Sequence, residues 1–210
     1  MRVKLLVAGV LTGLLTTGGV AMAKAPAAGG ARPLPPADAS ALAASGFSSG
    51  SVTRAVSAEE ALAAASQPGA TVSVEPGLSL REAVGLGSAG TTTAAVAAAD
   101  ATGCAANAAW WQWGTWPYEQ RITDTTYWCA VWGDHITYRS SSVNGNGTLC
   151  STNWTSSALI SGGIGYSWFV MRSSAGFSCP TVIPWITLHP SHYLDVSRNA
   201  WGNSAIIGSG

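Results

Sequence analysis

Beyond residue 104 the apolar positions alternate. In Thr125–Trp132, Trp128, Ala130 and Trp132 fall on one side of an extended chain, and Tyr127, Cys129 and Val131 fall on the other. Both sides are apolar, as in a strand covered on both faces. His135–Val143 follows after Gly133-Asp134, a pair suited to the positive backbone angles of a two-residue turn, so the two segments read as a hairpin. On the second strand Ile136 and Tyr138 face one way, while His135, Thr137 and Arg139 form a face expected to be wet. Asn144-Gly145-Asn146-Gly147 reads as a loop, and Thr148–Cys150 as the start of a further strand. Gly162-Gly163 marks a turn before Ile164–Arg172, where Ile164, Tyr166, Trp168 and Val170 alternate with Gly165, Ser167, Phe169 and Met171. Phe177–Cys179 and Val182–Leu188 are strand candidates interrupted by Pro180 and Pro184, and Ser204–Ile207 is the last. About seven or eight short strands of this spacing predict an all-β fold, either a disulfide-stabilised β-sandwich or a small antiparallel barrel.

The pattern before residue 104 is different. Residues 24–103 contain 24 alanines, 10 glycines and one aromatic, Phe47. So little apolar bulk does not offset the entropy of ordering a chain, and most of this zone is expected to be disordered, as a linker or a removable pro-region. Local signals interrupt it. Ser57 with Glu60 forms a capping box ahead of Ala61–Ala65, Thr71–Val74 suits a short strand, and Ser79 suits the cap of a helix over Leu80–Leu86. Thr91–Ala101 is nearly all Thr and Ala and reads as linker. Residues 1–23 have the form of a secretory signal peptide: Arg2 and Lys4, an interrupted apolar stretch from Leu5 to Val20, and Ala21-Met22-Ala23 as a small-x-small cleavage site. The organisation expected is therefore a signal peptide at 1–23, a low-complexity segment at 24–103 and a Trp- and Cys-rich β domain at 104–210.

Charge narrows the partners. The chain has 210 residues, 10 Lys+Arg and 10 Asp+Glu, and residues 104–210 alone are neutral, with no lysine. A nucleic-acid binder needs a basic surplus, so that class is excluded. No stretch is long and apolar enough for a transmembrane helix. Arginine exceeds lysine eight to two and alanine is abundant, a composition expected of a GC-rich bacterial gene. Cys104, Cys129, Cys150 and Cys179 lack C-x-x-C spacing, which argues against zinc or a redox dithiol. After a signal peptide, an even count predicts two disulfides in a secreted protein. Three pairings are possible; the sequential one, Cys104–Cys129 with Cys150–Cys179, closes the shortest loops and is preferred.

Candidate chemistry is sparse. The β domain offers only Glu119, Asp124, Asp134 and Asp195 as carboxylates, and nothing marks two of them as a glycosidase pair. His189, His192 and Asp195 stand at three-residue steps, but Pro190 prevents a helix from stacking them. They are weak candidates for a small hydrolase, and neither a metal nor a cofactor is expected. The aromatics say more. Seventeen of eighteen lie beyond residue 104, alongside ample aliphatic bulk, so some should reach the surface. Trp128 and Trp168, mid-strand, are expected in the core. Trp110, Trp111, Trp113, Trp116, Tyr118 and Trp201, near strand ends or loops, are expected to contact ligand. The function these features imply is a secreted, non-catalytic binding module for a neutral extracellular glycan, cell-envelope component or protein. A secreted toxin, bacteriocin or protease inhibitor released from a pro-region is the alternative.

Overall fold

The computed structural model describes residues 48–87, 102–183 and 185–210. The expected signal peptide, the first part of the alanine-rich segment and the expected Thr/Ala linker lie outside these residues. The described elements are β1 (Ser49–Val56), α1 (Ala58–Ala64), β2 (Thr71–Val74), α2 (Leu80–Ala83), β3 (Thr102–Trp113), β4 (Gln120–Val131), β5 (His135–Gly147), β6 (Ser151–Gly162), β7 (Trp168–Pro180), β8 (Thr187–Leu188), β9 (Ser191–Asn199) and β10 (Ser204–Ser209). They form two antiparallel sheets, in the orders β1-β3-β4-β5-β2 and β10-β9-β7-β6, with β8 paired to β7. The sheets stay separate: β1 and β10 meet only through side chains, with the Thr53 and Ser204 hydroxyls 2.5 Å apart. The closed-barrel alternative is thereby corrected.

Both disulfides form in the sequential pairing, Cys104–Cys129 and Cys150–Cys179. The first joins residues directly opposite each other on β3 and β4. The β4–β5 hairpin forms, but its loop is three residues, Trp132 to Asp134, and not the two expected, with only Gly133 at positive φ (78°). Asn144–Gly147, expected as a loop, instead continues β5, with Gly145 opposite Ile122 and Gly147 opposite Gln120. Beyond Pro180 the expected Val182–Leu188 strand shrinks to β8, because the chain turns back on itself there.

The alanine-rich segment departs most from expectation. Residues 49–86 are part of the β body and not a disordered approach to it. The local signals hold in part: the Ser57 hydroxyl accepts the Glu60 N–H at 3.1 Å, but the Glu60 carboxylate pairs with Arg54 and does not close the expected capping box. Ser79 and Glu82 do form a reciprocal box, on a helix that ends at Ala83. Low apolar bulk did not prevent folding, because the segment adds to a sheet that already carries the bulk. Buried Ala61, Ala64, Ala83 and Val84 pack on Tyr127, Tyr138 and the Cys104–Cys129 bridge. Alanine's short side chain lets a helix backbone come close, and the Tyr138 hydroxyl donates to the Ala61 carbonyl at 2.7 Å. The face of β5 expected to be wet is split: Thr137 donates to the Ala83 carbonyl under this layer, while Arg139 is buried between the sheets against Met171 and Phe169. The register there steps from Cys129 opposite Tyr138 to Ala130 opposite Ile136, leaving Thr137 as an extra residue. The bulge turns Ile136 toward the second sheet and Tyr138 toward the helices.

Two apolar clusters lie between the sheets. One gathers Trp128, Ala130, Ile136, Phe169 and Met171; the other gathers Ile122, Phe177, Leu194 and Val196 beside the Cys150–Cys179 bridge. A buried polar belt separates them. Asp124 accepts hydrogen bonds from Arg198 and Ser173, and from the Thr126 hydroxyl at 2.8 Å. Arg198 also donates to Asn107 Oδ1 at 2.9 Å, and the Asn107 amide reaches β1 at Ser51 Oγ (2.8 Å) and the Val52 carbonyl (3.0 Å). Asp124 and Arg198 have no side-chain exposure.

Candidate ligand-binding site

The structure divides the aromatic candidates. Trp110 is 2% exposed, and its ring occupies the space above Gly50 on β1, which a Cβ there would fill. It is a core residue, and the expectation of a surface position is corrected: strand β1, absent from the sequence reading, covers it. Trp111 is half-buried against the Ile122–Phe177 cluster. Trp128 is buried as expected, with its indole N–H donating to the Asn199 carbonyl at 2.9 Å and its ring set edge-on to Phe169. Trp168, expected in the core, faces outward, because Phe169 takes the inward position at the start of β7. Trp201 sits in the β9–β10 turn beside Gly133, with Trp132 close by against Gly103 and Gly202. That end of the sheets is opposite to the one holding Trp113, Trp116 and Tyr118, since β3 and β4 run their full length between them.

At this second end a cleft of about 510 Å³ opens between the β3–β4 turn and the start of β9. Trp113, Tyr118, Gln120, Leu188, His189 and His192 line it, with Cys179 of the second disulfide at its base. Trp113 and His192 stack with ring centroids 4.4 Å apart and 8° between planes. His192 Nε2–H donates to Gln120 Oε1 at 2.7 Å, and the Gln120 amide donates to the Tyr118 carbonyl at 3.0 Å. This chain of contacts fixes the indole and imidazole planes in one orientation. The Ser178 hydroxyl lies 3.1 Å from His189 Nδ1.

Two of the three weak catalytic candidates, His189 and His192, therefore share this cleft. Asp195 does not join them: Arg172 Nε and Nη2 hold its two oxygens at 2.8 and 2.7 Å, and the Arg172 guanidinium lies 4.3 Å from the centre of the Tyr193 ring. Of the other carboxylates, two have structural places, while Glu119 Oε2 is buried without a hydrogen-bond partner. Asp124 is in the buried belt, and Asp134 Oδ2 lies 3.0 Å from His135 Nδ1. Among the described residues no three His, Cys, Asp or Glu side chains gather where they could hold a metal ion. Glutamine, and not a carboxylate, is the partner that orients His192, so the cleft positions a ring and hydrogen-bonding groups without a base relay. Gln120 had no signal in the sequence: its role depends on a histidine 72 residues away.

Two half-buried histidines, His192 and His135, are shifted in opposite directions. Burial against the cleft wall lowers the His192 pKa, partly opposed by a hydrogen bond to the Gly210 backbone. At His135 burial also disfavours the charge, but hydrogen bonds and charge from Asp134 and Glu75 outweigh it and raise the pKa. The His192 contribution to stability is thus fully present above the ordinary value of about 6.5 and is lost as pH falls through that value toward the lower folded one. The His135 contribution is present below about 6.5 and is lost as pH rises through its higher folded value. The two trends oppose each other across this range, so urea unfolding should show a flatter acid limb in His192→Gln than in wild type and a steeper acid-side loss in His135→Gln. An equal acid-side loss in His192→Gln would remove the assignment.

The chain matches no protein-family model, no curated protein and no solved structure. Among the described residues no helix is long and apolar enough to cross a membrane.

Proposed function

We propose that the chain is a secreted, non-catalytic β-sandwich module that binds a neutral glycan in the cleft at Trp113. The observation that carries this reading is the fixed Trp113–His192 stack next to the Gln120 amide, His189 and the Tyr118 ring. A pyranose presents an apolar C–H face and a rim of hydroxyls. A flat indole, oriented by His192 and Gln120, matches the face, and the His189 imidazole and Tyr118 phenol match the rim. No carboxylate lines the cleft, which suits binding of an uncharged ligand without hydrolysis. The two formed disulfides suit an oxidising compartment outside the cell. Trp201, at the opposite end, is outside this proposed site.

The test is retention on insoluble cellulose, chitin and purified cell-wall glycan. Trp113→Ala should weaken retention at least about tenfold, the loss of one well-buried aromatic contact, while Trp201→Ala should retain normally. No retention of the wild-type chain on any of the three glycans would remove the proposal, as would equal losses in both variants.

A further inference from the structure

Beside the cleft, the connection from β7 to β9 carries an unusual set of side chains to the surface. Val182 is 91% exposed and Trp185 84%, and Ile183, Ile186 and Leu188 are exposed with them. The neighbouring turns extend the patch: Trp116 is 78% exposed, and Leu149, also exposed, is tied to the same turn by its N–H donating to the Pro117 carbonyl at 3.1 Å. Burial of such side chains in water-free surroundings is strongly favoured, so an apolar patch of this kind marks an interaction site.

We propose that this end of the molecule inserts shallowly into a lipid bilayer, with Val182, Ile183, Trp185 and Ile186 entering the interfacial region. Three observations select a bilayer over a protein. The first is charge. Residues 173–194, which hold the whole loop, contain no Asp, Glu, Lys or Arg, so the loop carries none of the charge through which protein partners are selected and oriented. The second is backbone closure. The Thr181 N–H donates to the Ile186 carbonyl at 3.1 Å and the Ile186 N–H to the Ile183 carbonyl at 3.0 Å. The Thr181 hydroxyl accepts the Ile183 N–H at 3.2 Å and donates to the Ile183 or Ile186 carbonyl, at 3.1 and 3.0 Å. These bonds satisfy the Thr181, Ile183 and Ile186 N–H groups within the loop, which lowers the cost of entering an apolar medium, where open backbone groups are costly. The third is composition. Tryptophan beside aliphatic residues is the composition that partitions at the boundary between headgroups and hydrocarbon. The proposal does not rest on the glycan reading.

The experiment is flotation of the full chain with large unilamellar phosphatidylcholine vesicles at low and high salt. Wild type should float at both salt concentrations, because no charge drives the association, and its tryptophan emission should shift to the blue. Val182→Asp and Trp185→Ala, both at exposed positions that leave the core intact, should each reduce flotation at least about tenfold. Trp113→Ala should float normally even where it loses glycan retention, which keeps the two proposals separable. Three results would overturn the insertion: wild type left in the unfloated fraction, loop variants that float as well as wild type, or loop-dependent self-association without vesicles, which would make a second copy the occupant.

Discussion

Arg198→Met should remove about 3–5 kcal/mol of folding free energy, measured by urea unfolding at neutral pH. The substitution retains most of the side-chain volume and deletes the cation that faces Asp124. In the native fold the Asp124 carboxylate is wholly buried between the sheets and is held by Arg198, Thr126 and Ser173. Two hydroxyls can solvate part of its charge, but they cannot neutralise it. Burial lowers the pKa of Arg198, and the charge of Asp124 and the hydrogen bond donated to it oppose that shift, so each member of the pair makes the other's burial tolerable. Losing the cation alone strands the anion in a site of low polarisability. Asn107 also loses its partner on Oδ1, and with it part of the link from the second sheet to β1. Pairing Arg198→Met with Asp124→Leu should return most of the lost stability, because no charge is then left behind. A single Arg198→Met variant within about 1 kcal/mol of wild type would show that the belt does not depend on the ion pair.

The position of this belt shows how far the residues of the chain could be read in advance. Period-two alternation through Ile122, Asp124, Thr126 and Trp128 places all four on one face of β4, and the clusters around Ile122 and Trp128 confirm that this face is the inner one. A carboxylate at an inward position is a visible signal that a buried partner must exist. The identity of the partner is not visible, because Arg198 lies 74 residues away on the other sheet. The cleft has the same character. Trp113 and Tyr118 stood out as exposed aromatics and His189 and His192 as polar candidates, yet nothing local says that the two sets meet. They meet because the β3–β4 turn and the start of β9 lie at one end of the two sheets. The hairpin, both disulfides and both helix caps were legible because each depends on contacts close in sequence or on loop length. Trp110 was misplaced for the opposite reason: the strand that covers it comes from a segment whose composition, taken by itself, gives no reason to fold.

That segment carries the second large effect. A chain beginning at Thr102 should lose on the order of 5 kcal/mol or more and should give no native-like cooperative unfolding transition. β1 pairs with β3 along its whole length, from Ser49 opposite Trp111 to Val56 opposite Cys104, and β2 closes the other edge against β5. Removing both strands opens two edges on a five-stranded sheet, an invitation to pair with other chains. Removing α1 and α2 also uncovers Tyr127, Tyr138 and the Cys104–Cys129 bridge, and leaves the Tyr138 hydroxyl and the Asn107 amide without their partners. Release as a free toxin or inhibitor therefore requires more than a cut. With a protease site introduced between residues 88 and 101, cleavage should leave the two pieces associated through gel filtration, and they should separate only as urea unfolds the body. If the N-terminal piece instead diffuses away and the remainder keeps the unfolding midpoint of the intact chain, residues 49–86 are a detachable leader and the sheet is complete without them.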